Sequence, residues 1–335
     1  MRKHPILLPI LVFLFLLAFT ACGGNESTES GASSEENMNT TASPSAAGDG
    51  TPPTGNEASP PKNEPVTRIY QSENGPVEVP AHPQRVVVLA SFAGNVMALD
   101  VPLVGVDQWS KMNPRFRQRL EGVAEVTDED LEKLIELGPD LIIGLSNTKN
   151  LDRLRQIAPT VTYTYGKLDY LTQHLEIGKL LNKEAEAQAW IEDFRRRARQ
   201  AGEDIRAKIG QDVTVSVIES FNKELYVFGD NWGRGTEILY QEMKLKMPEK
   251  VRETALKDGY YFISPEVLPE FAGDYLIISK DPDADNSFQK TETYKNIPAV
   301  KNGRVFEANA REFYFNDPLT LEYQLEFFIK NFLGE

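Results

Sequence analysis

Residues 183–209 read KEAEAQAWIEDFRRRARQAGEDIRAKI, and this stretch decides the fold. Apolar residues recur at Ala187, Trp190, Ile191, Phe194, Ala198, Ala201, Ile205 and Ile209. Spacings of three and four residues set them on one side of an α-helix, while Glu, Arg, Lys, Gln and Asp fill the other. At about 1.5 Å per residue such a helix is roughly 40 Å long, about the width of a domain. Segments of alternating strand and helix character flank it on both sides. The spacing predicts a rigid beam joining two α/β lobes, rather than an ordinary surface helix within one.

Before the beam, short β signals at residues 66–70 and 77–79 precede RVVVLA (85–90), an apolar run of the kind buried in a parallel sheet. Ser91-Phe92-Ala93-Gly94-Asn95 then reads as a strand-to-helix turn. Residues 103–106, 141–143 and 160–165 read as further strands. Helical patterns at 130–137 and 151–157 separate them. Strand alternating with helix implies a mostly parallel sheet. After the beam, residues 213–218 open a second such lobe. Strands are expected at 225–228, 276–278 and 304–307, and helices at 235–243 and 318–333.

The two lobes share a segment. LEKLIELGPDLII (131–143) and PEVLPEFAGDYLII (265–278) each carry a Glu eight residues before an Asp, and each Asp precedes an Ile-Ile strand. Glu132 and Asp140 thus correspond to Glu266 and Asp274.

Ahead of the lobes, Arg2 and Lys3 precede an apolar run from Ile6 to Phe19, too short to span a bilayer comfortably. Phe19-Thr20-Ala21-Cys22-Gly23 resembles the lipobox of bacterial lipoproteins, with Phe19 in place of the usual Leu. Residues 1–21 are therefore expected to be a signal peptide, and Cys22 to be acylated as the mature N-terminus. Cys22 is the single cysteine, so no intrachain disulfide can form. Residues 22–65 are rich in Ser, Thr, Gly, Asn, Glu and Pro, and should form a flexible tether. Of the chain's net charge of −14, residues 66–335 carry −10. Such a surface speaks against nucleic acid as a partner. The remaining divisions are an N-terminal lobe at 66–168, linking helices at 169–209 and a C-terminal lobe at 210–335.

With a lipoprotein signal, a tether, the PQRVVVL opening strand, the LEKL…PDLII segment and one linking helix, residues 66–335 resemble the substrate-binding lipoproteins of ABC importers for iron–siderophore complexes. The resemblance implies a class III periplasmic-binding-protein-like fold, with two mostly parallel α/β lobes, a single bridging helix and a ligand cleft between the lobes. It also implies that Glu132 and Glu266 dock on arginines of the permease, one acid per lobe, and through the permease on its ATPase. The stretch YVFGDNWGRGTE (226–237) resembles the hydroxamate binders, those for ferrichrome and ferrioxamine, most closely. There a Trp-x-Arg pair sits in the cleft with a tyrosine six residues before the Trp. Here those types are Tyr226, Trp232 and Arg234.

The chemistry suits such a ligand. A ferric hydroxamate presents oxygens with partial negative charge, and arginine offers a planar fork of donors. Aromatic rings supply the apolar wall. Further cleft candidates are Tyr165 at the end of a strand, Phe92 and Asn95 in the first turn, Trp109, and Tyr314 within an aromatic cluster.

An enzyme reading finds little support. The folded part has two histidines, His82 and His174, in separate elements and without a recognisable nucleophile. No His-x-x-x-His or cysteine pair offers a metal site, and no cofactor is expected. Iron would travel as a siderophore complex with no direct protein ligand. The expected protein is a monomer, lipid-anchored on the extracytoplasmic face of the cell membrane. Ferric citrate, a catecholate siderophore, haem or cobalamin remain as alternative ligands, and a surface scaffold lipoprotein remains as the non-binding alternative.

Overall fold

The computed structural model describes residues 66–334. The signal peptide, Cys22 and the tether lie outside the described residues.

The first lobe opens with a hairpin, β1 (Thr67–Ser72) and β2 (Gly75–Pro80), paired antiparallel. Five parallel strands follow: β3 (Val86–Val88), β4 (Leu103–Val106), β5 (Ala124–Glu125), β6 (Leu141–Leu145) and β7 (Thr160–Tyr163). Their order across the sheet is β5-β4-β3-β6-β7. β3 and β7 are buried along their whole length, as expected of strands covered on both faces.

The second sheet comprises β8 (Val215–Phe221), β9 (Glu224–Phe228), β10 (Tyr260–Ile263), β11 (Tyr275–Lys280) and β12 (Val305–Asn309), in the order β10-β9-β8-β11-β12. β8, β11 and β12 run parallel, whereas β9 and β10 are antiparallel neighbours. The reversal follows from a two-residue turn. Asn222 and Lys223 have φ of +50° and +69°, the tight hairpin geometry that matches strand twist. This half of the sheet is therefore mixed.

Between the sheets run the helix Tyr170–Leu180 and the 26-residue bridging helix Glu184–Ile209. Ala187, Ile191, Phe194, Ala198, Ala201 and Ile205 are buried along one stripe of the bridging helix. Gly202 belongs to the same stripe. A Cβ there would lie 2.4 Å from the carbonyl oxygen of Met243, so only glycine lets the helix press on that turn. The closing helix Pro318–Leu333 packs alongside it.

The two lobes repeat one device. β3 and β8 are the central strands of their sheets. Asp140 accepts from the backbone N–H of Gln84 (2.6 Å) and Arg85 (3.0 Å), just before β3. Asp274 accepts from the Thr214 N–H (2.8 Å) and hydroxyl (2.9 Å), just before β8. Each Asp thus pins the entry of the central strand to the start of its neighbour, β6 or β11. Glu132 lies in the first turn of the helix Leu131–Leu137, and Glu266 lies two residues ahead of the helix Leu268–Phe271. Both glutamates are exposed.

Candidate functional site

The carboxyl ends of the parallel strands converge on the cleft, where ligands of open α/β sheets bind. Ser91 and Phe92 follow β3, Trp109 follows β4, and Tyr165 follows β7. Phe221 ends β8. Together with Asn95, Trp232, Arg234 and Tyr314 they line one cavity of about 330 Å³. Tyr226 lines an adjoining cavity of about 210 Å³ that shares Phe221, Trp232 and Arg234 with the first. The residues singled out in the sequence for the cleft therefore meet, seven in one cavity and Tyr226 beside it.

Arg234 is held by an unusual local backbone. Gly233, Arg234 and Gly235 have φ of +70°, +58° and +79°, a left-handed run that a non-glycine residue adopts at a cost of about 1–2 kcal/mol. A Cβ on Gly233 would meet the carbonyl oxygen of Tyr314 at 2.3 Å, so the loop lies flat against residues 313–314. The Arg234 N–H donates to the Phe313 carbonyl at 2.7 Å.

The guanidinium is just as constrained. Its Nε and Nη2 donate to the two oxygens of Glu219, at 3.2 and 2.9 Å, and its Nη1 donates to the Trp232 carbonyl at 3.1 Å. The Ser279 hydroxyl donates to Glu219 as well. Phe228 and Tyr314 cover the guanidinium, with ring centroids 4.9 and 4.8 Å from its central carbon. Five N–H groups less three engaged leaves two, one on Nη1 and one on Nη2. Glu219 is fully buried and cancels the charge of Arg234. The sequence reading missed Glu219. Its signal was a lone carboxylate at the end of an apolar strand, and a buried charge requires a partner.

Aromatic rings close the rim between the lobes. Trp109 meets Tyr314 edge-on at 5.6 Å and Phe221 at 6.3 Å, and Tyr165 meets Trp232 edge-on at 5.4 Å. Trp232 also leans on Tyr260 at 5.1 Å. The Tyr314 hydroxyl donates to Asp281 at 2.9 Å, and burial pushes its pKa up. The Tyr226 hydroxyl donates to Glu224, which pushes its pKa up to about 12. Burial, and then the charge of Glu237, raises that of Tyr165.

Asn95 is 4% exposed, and its Oδ1 lies 3.1 Å from Nδ1 of His174. Burial lowers the His174 pKa to about 4, so the ring is neutral and packs edge-on against Trp190 of the bridging helix at 5.3 Å. The pair leaves the Asn95 amide nitrogen as the group available to the cavity. Among the described residues no group of three or more His, Cys, Asp or Glu side chains is placed to hold a metal ion, and no helix is long and apolar enough to cross a membrane.

Residues 88–312 match the family model described as periplasmic binding protein. The chain is 37% identical to the iron(3+)-hydroxamate-binding protein FhuD of Bacillus subtilis, over 78% of this chain and 85% of that protein. It is 33% identical to the iron(3+)-hydroxamate-binding protein YxeB of the same organism, over 97% and 95% of the two chains. Among solved structures it resembles FhuD2 of Staphylococcus aureus with bound ferrioxamine B, with a TM-score of 0.72 and 34% identity over 75% of this chain and 99% of that one. On this fold, and on these similarities across most of its length, the chain belongs to the periplasmic binding protein family.

Proposed function

We propose that this protein is a lipid-anchored receptor on the extracytoplasmic face of the cell membrane. It binds an iron(III)–hydroxamate siderophore and delivers it to the permease of an ABC importer. The observation that carries this reading is the Arg234–Glu219 pair, which offers two unspent N–H groups to an aromatic-lined cavity with little net charge. A ferric trihydroxamate is itself neutral, because three hydroxamate anions balance Fe³⁺. Its oxygens need donors, and it does not need a surplus of positive charge. A ferric catecholate of charge −3 would face Glu219 as well as Arg234. The names of the two Bacillus subtilis relatives and the ferrioxamine B bound to the Staphylococcus aureus protein support the same ligand class.

In this reading Arg234 donates to hydroxamate oxygens, assisted by the Asn95 amide. Trp232, Tyr226, Tyr165, Trp109, Phe92 and Tyr314 pack on the ligand. The protein performs no chemical step, and iron remains inside its chelate as cargo. Cys22 carries the lipid, and a relative named as a probable siderophore-binding lipoprotein supports the anchor. The test is a titration of tryptophan fluorescence with ferric ferrioxamine B, ferrichrome, a ferric catecholate and ferric citrate. Trp109 and Trp232 line the cavity, so a bound iron complex should quench strongly. Tight binding of the two hydroxamates with an unchanged visible absorption band is expected. Tight binding of catecholate or citrate alone would replace this reading.

A further inference from the structure

The site just described opens onto a second cavity of about 650 Å³. Phe92, Tyr165, Tyr170, Gln173 and Asn316 line both. Much of the second wall is polar, and part of it is the π-helix Glu237–Glu242. π-Turns are rare and recur at functional sites. This one presents two buried carboxylates, Glu237 and Glu242, to the same space.

The two acids are balanced differently. Glu242 has cations beside it, with the Nε of Arg195 and the Nε of Arg199 each 3.5 Å away. Glu237 is 1% exposed and accepts from Gly233 N–H (2.9 Å) and the Asn316 amide (2.8 Å), while the single hydrogen of the Thr236 hydroxyl is shared between Glu237 (3.0 Å) and the Gly233 carbonyl (2.7 Å). Among the described residues it pairs with no cation. Fully buried carboxylates are rarely left so. Asp230 faces the same cavity, also without an ion pair among the described residues. The Nε2 of Gln173 is buried there with no hydrogen-bond partner. The cations lining the cavity are Arg199, turned to Glu242, and the exposed Lys244.

We propose that this second cavity takes a positively charged arm of the siderophore, an ammonium group, with Glu237 and Asp230 as its counter-charges. The proposal rests on the hydroxamate reading and adds to it a preference, within that class, for linear siderophores with a cationic end. The iron centre of a trihydroxamate is neutral, so a pendant ammonium is the net charge of the whole ligand. A carboxylate has about four lone-pair sites, and Glu237 uses at most three, which leaves at least one for the ammonium. The unpartnered Gln173 amide suits a carbonyl along the arm.

The test compares ferric ferrioxamine B, a linear trihydroxamate ending in a primary ammonium, with its N-acetyl derivative, whose arm is neutral. Wild-type protein should bind the ammonium form about tenfold more tightly, the scale of one charge-assisted hydrogen bond. Glu237→Gln keeps an oxygen for Gly233 and Asn316 and offers its amide to the Thr236 hydroxyl. It should bring the ratio of the two affinities close to one. Asp230→Asn, on a half-buried loop residue, should fold regardless and reduce the ratio in part. Equal affinity of the wild type for the two forms overturns the proposal, as does a preference that survives both substitutions. Failure to bind either form while ferrichrome binds also overturns the proposal, whereas failure to bind all three overturns the hydroxamate reading itself.

Discussion

At the scale of single residues, the proposed site turns on Arg234 and its buried partner. Arg234→Ala removes two free donors and leaves Glu219 buried without a counter-charge. We expect a loss of tenfold or more in affinity for ferric hydroxamates, at roughly 1.5–3 kcal/mol per charge-assisted bond, together with a lower melting temperature. Arg234→Lys should recover only part of the affinity, because an ammonium cannot span both oxygens of Glu219 and still reach the ligand. Glu219→Gln is the more diagnostic change. It keeps one acceptor for the guanidinium but adds a net positive charge to the cleft, so affinity should shift toward ferric citrate, an anionic complex, relative to ferrioxamine B. Fluorescence titration of each variant with both ligands checks this, and an unchanged ratio in Glu219→Gln would sink the charge-cancellation argument. The legibility of this pair was uneven. Arg234 and Trp232 stand in a glycine-rich loop whose spacing is distinctive. Glu219 follows Val-Ser-Val-Ile and reads as the polar end of a strand; its burial makes sense only once Arg234 folds back over it.

Elements were legible in proportion to their length and local periodicity. The bridging helix, with eight apolar positions in register, could be drawn from sequence to within a residue at each end. β10, with four residues and three exposed aromatics, has no alternation to betray it and exists because β9 supplies its edge. β9 itself was legible, but its direction was not, since that depends on the left-handed turn at Asn222 and Lys223. The repeated segment was visible as a Glu…Asp spacing, and the physical role of each Asp emerged only in three dimensions. Its companion glutamates lead to a prediction at this scale. Glu132 and Glu266 occupy corresponding, exposed positions ahead of β6 and β11, and Glu266 also accepts a hydrogen bond from Ser264 that holds its carboxyl below the usual range. If they are the acids that meet the permease, Glu132→Ala with Glu266→Ala should abolish siderophore uptake by cells. It should leave ligand affinity unchanged and shift stability by no more than about 0.5 kcal/mol, as exposed substitutions usually do. Normal uptake by the double variant would remove both residues from the docking surface.

For the whole molecule, the question is how far the lobes move. A hinge needs residues that can absorb large changes in φ and ψ, and a 26-residue helix provides few. The other interlobe contacts are equally stiff. Phe116 of the first lobe stacks on Phe315 of the second at 5.9 Å and 10° between planes. Ala310, Tyr314 and Phe315 share an apolar cluster with Val86, Val88 and Ile143, so one core runs across the junction. Gly94 sits so close to Asp317 that an added Cβ would lie 2.0 Å from the carboxyl carbon, while Asp317 caps the closing helix through Leu319 and Thr320. Sliding the lobes would break this packing, whose interdigitated side chains have few alternative arrangements. Only the rim is loosely held, by the edge-on pairs of Trp109 and Tyr165, each worth about 0.5–1.5 kcal/mol. Ligand entry should therefore part these rings and leave the backbone of both lobes nearly fixed. Small-angle scattering should give almost the same radius of gyration with and without a saturating ferric hydroxamate, and hydrogen exchange should slow chiefly at the Trp109 and Tyr165 loops. Marked compaction on binding, or protection spread along the bridging helix, would mean that the beam bends and that the junction around Gly94 and Asp317 is a hinge after all.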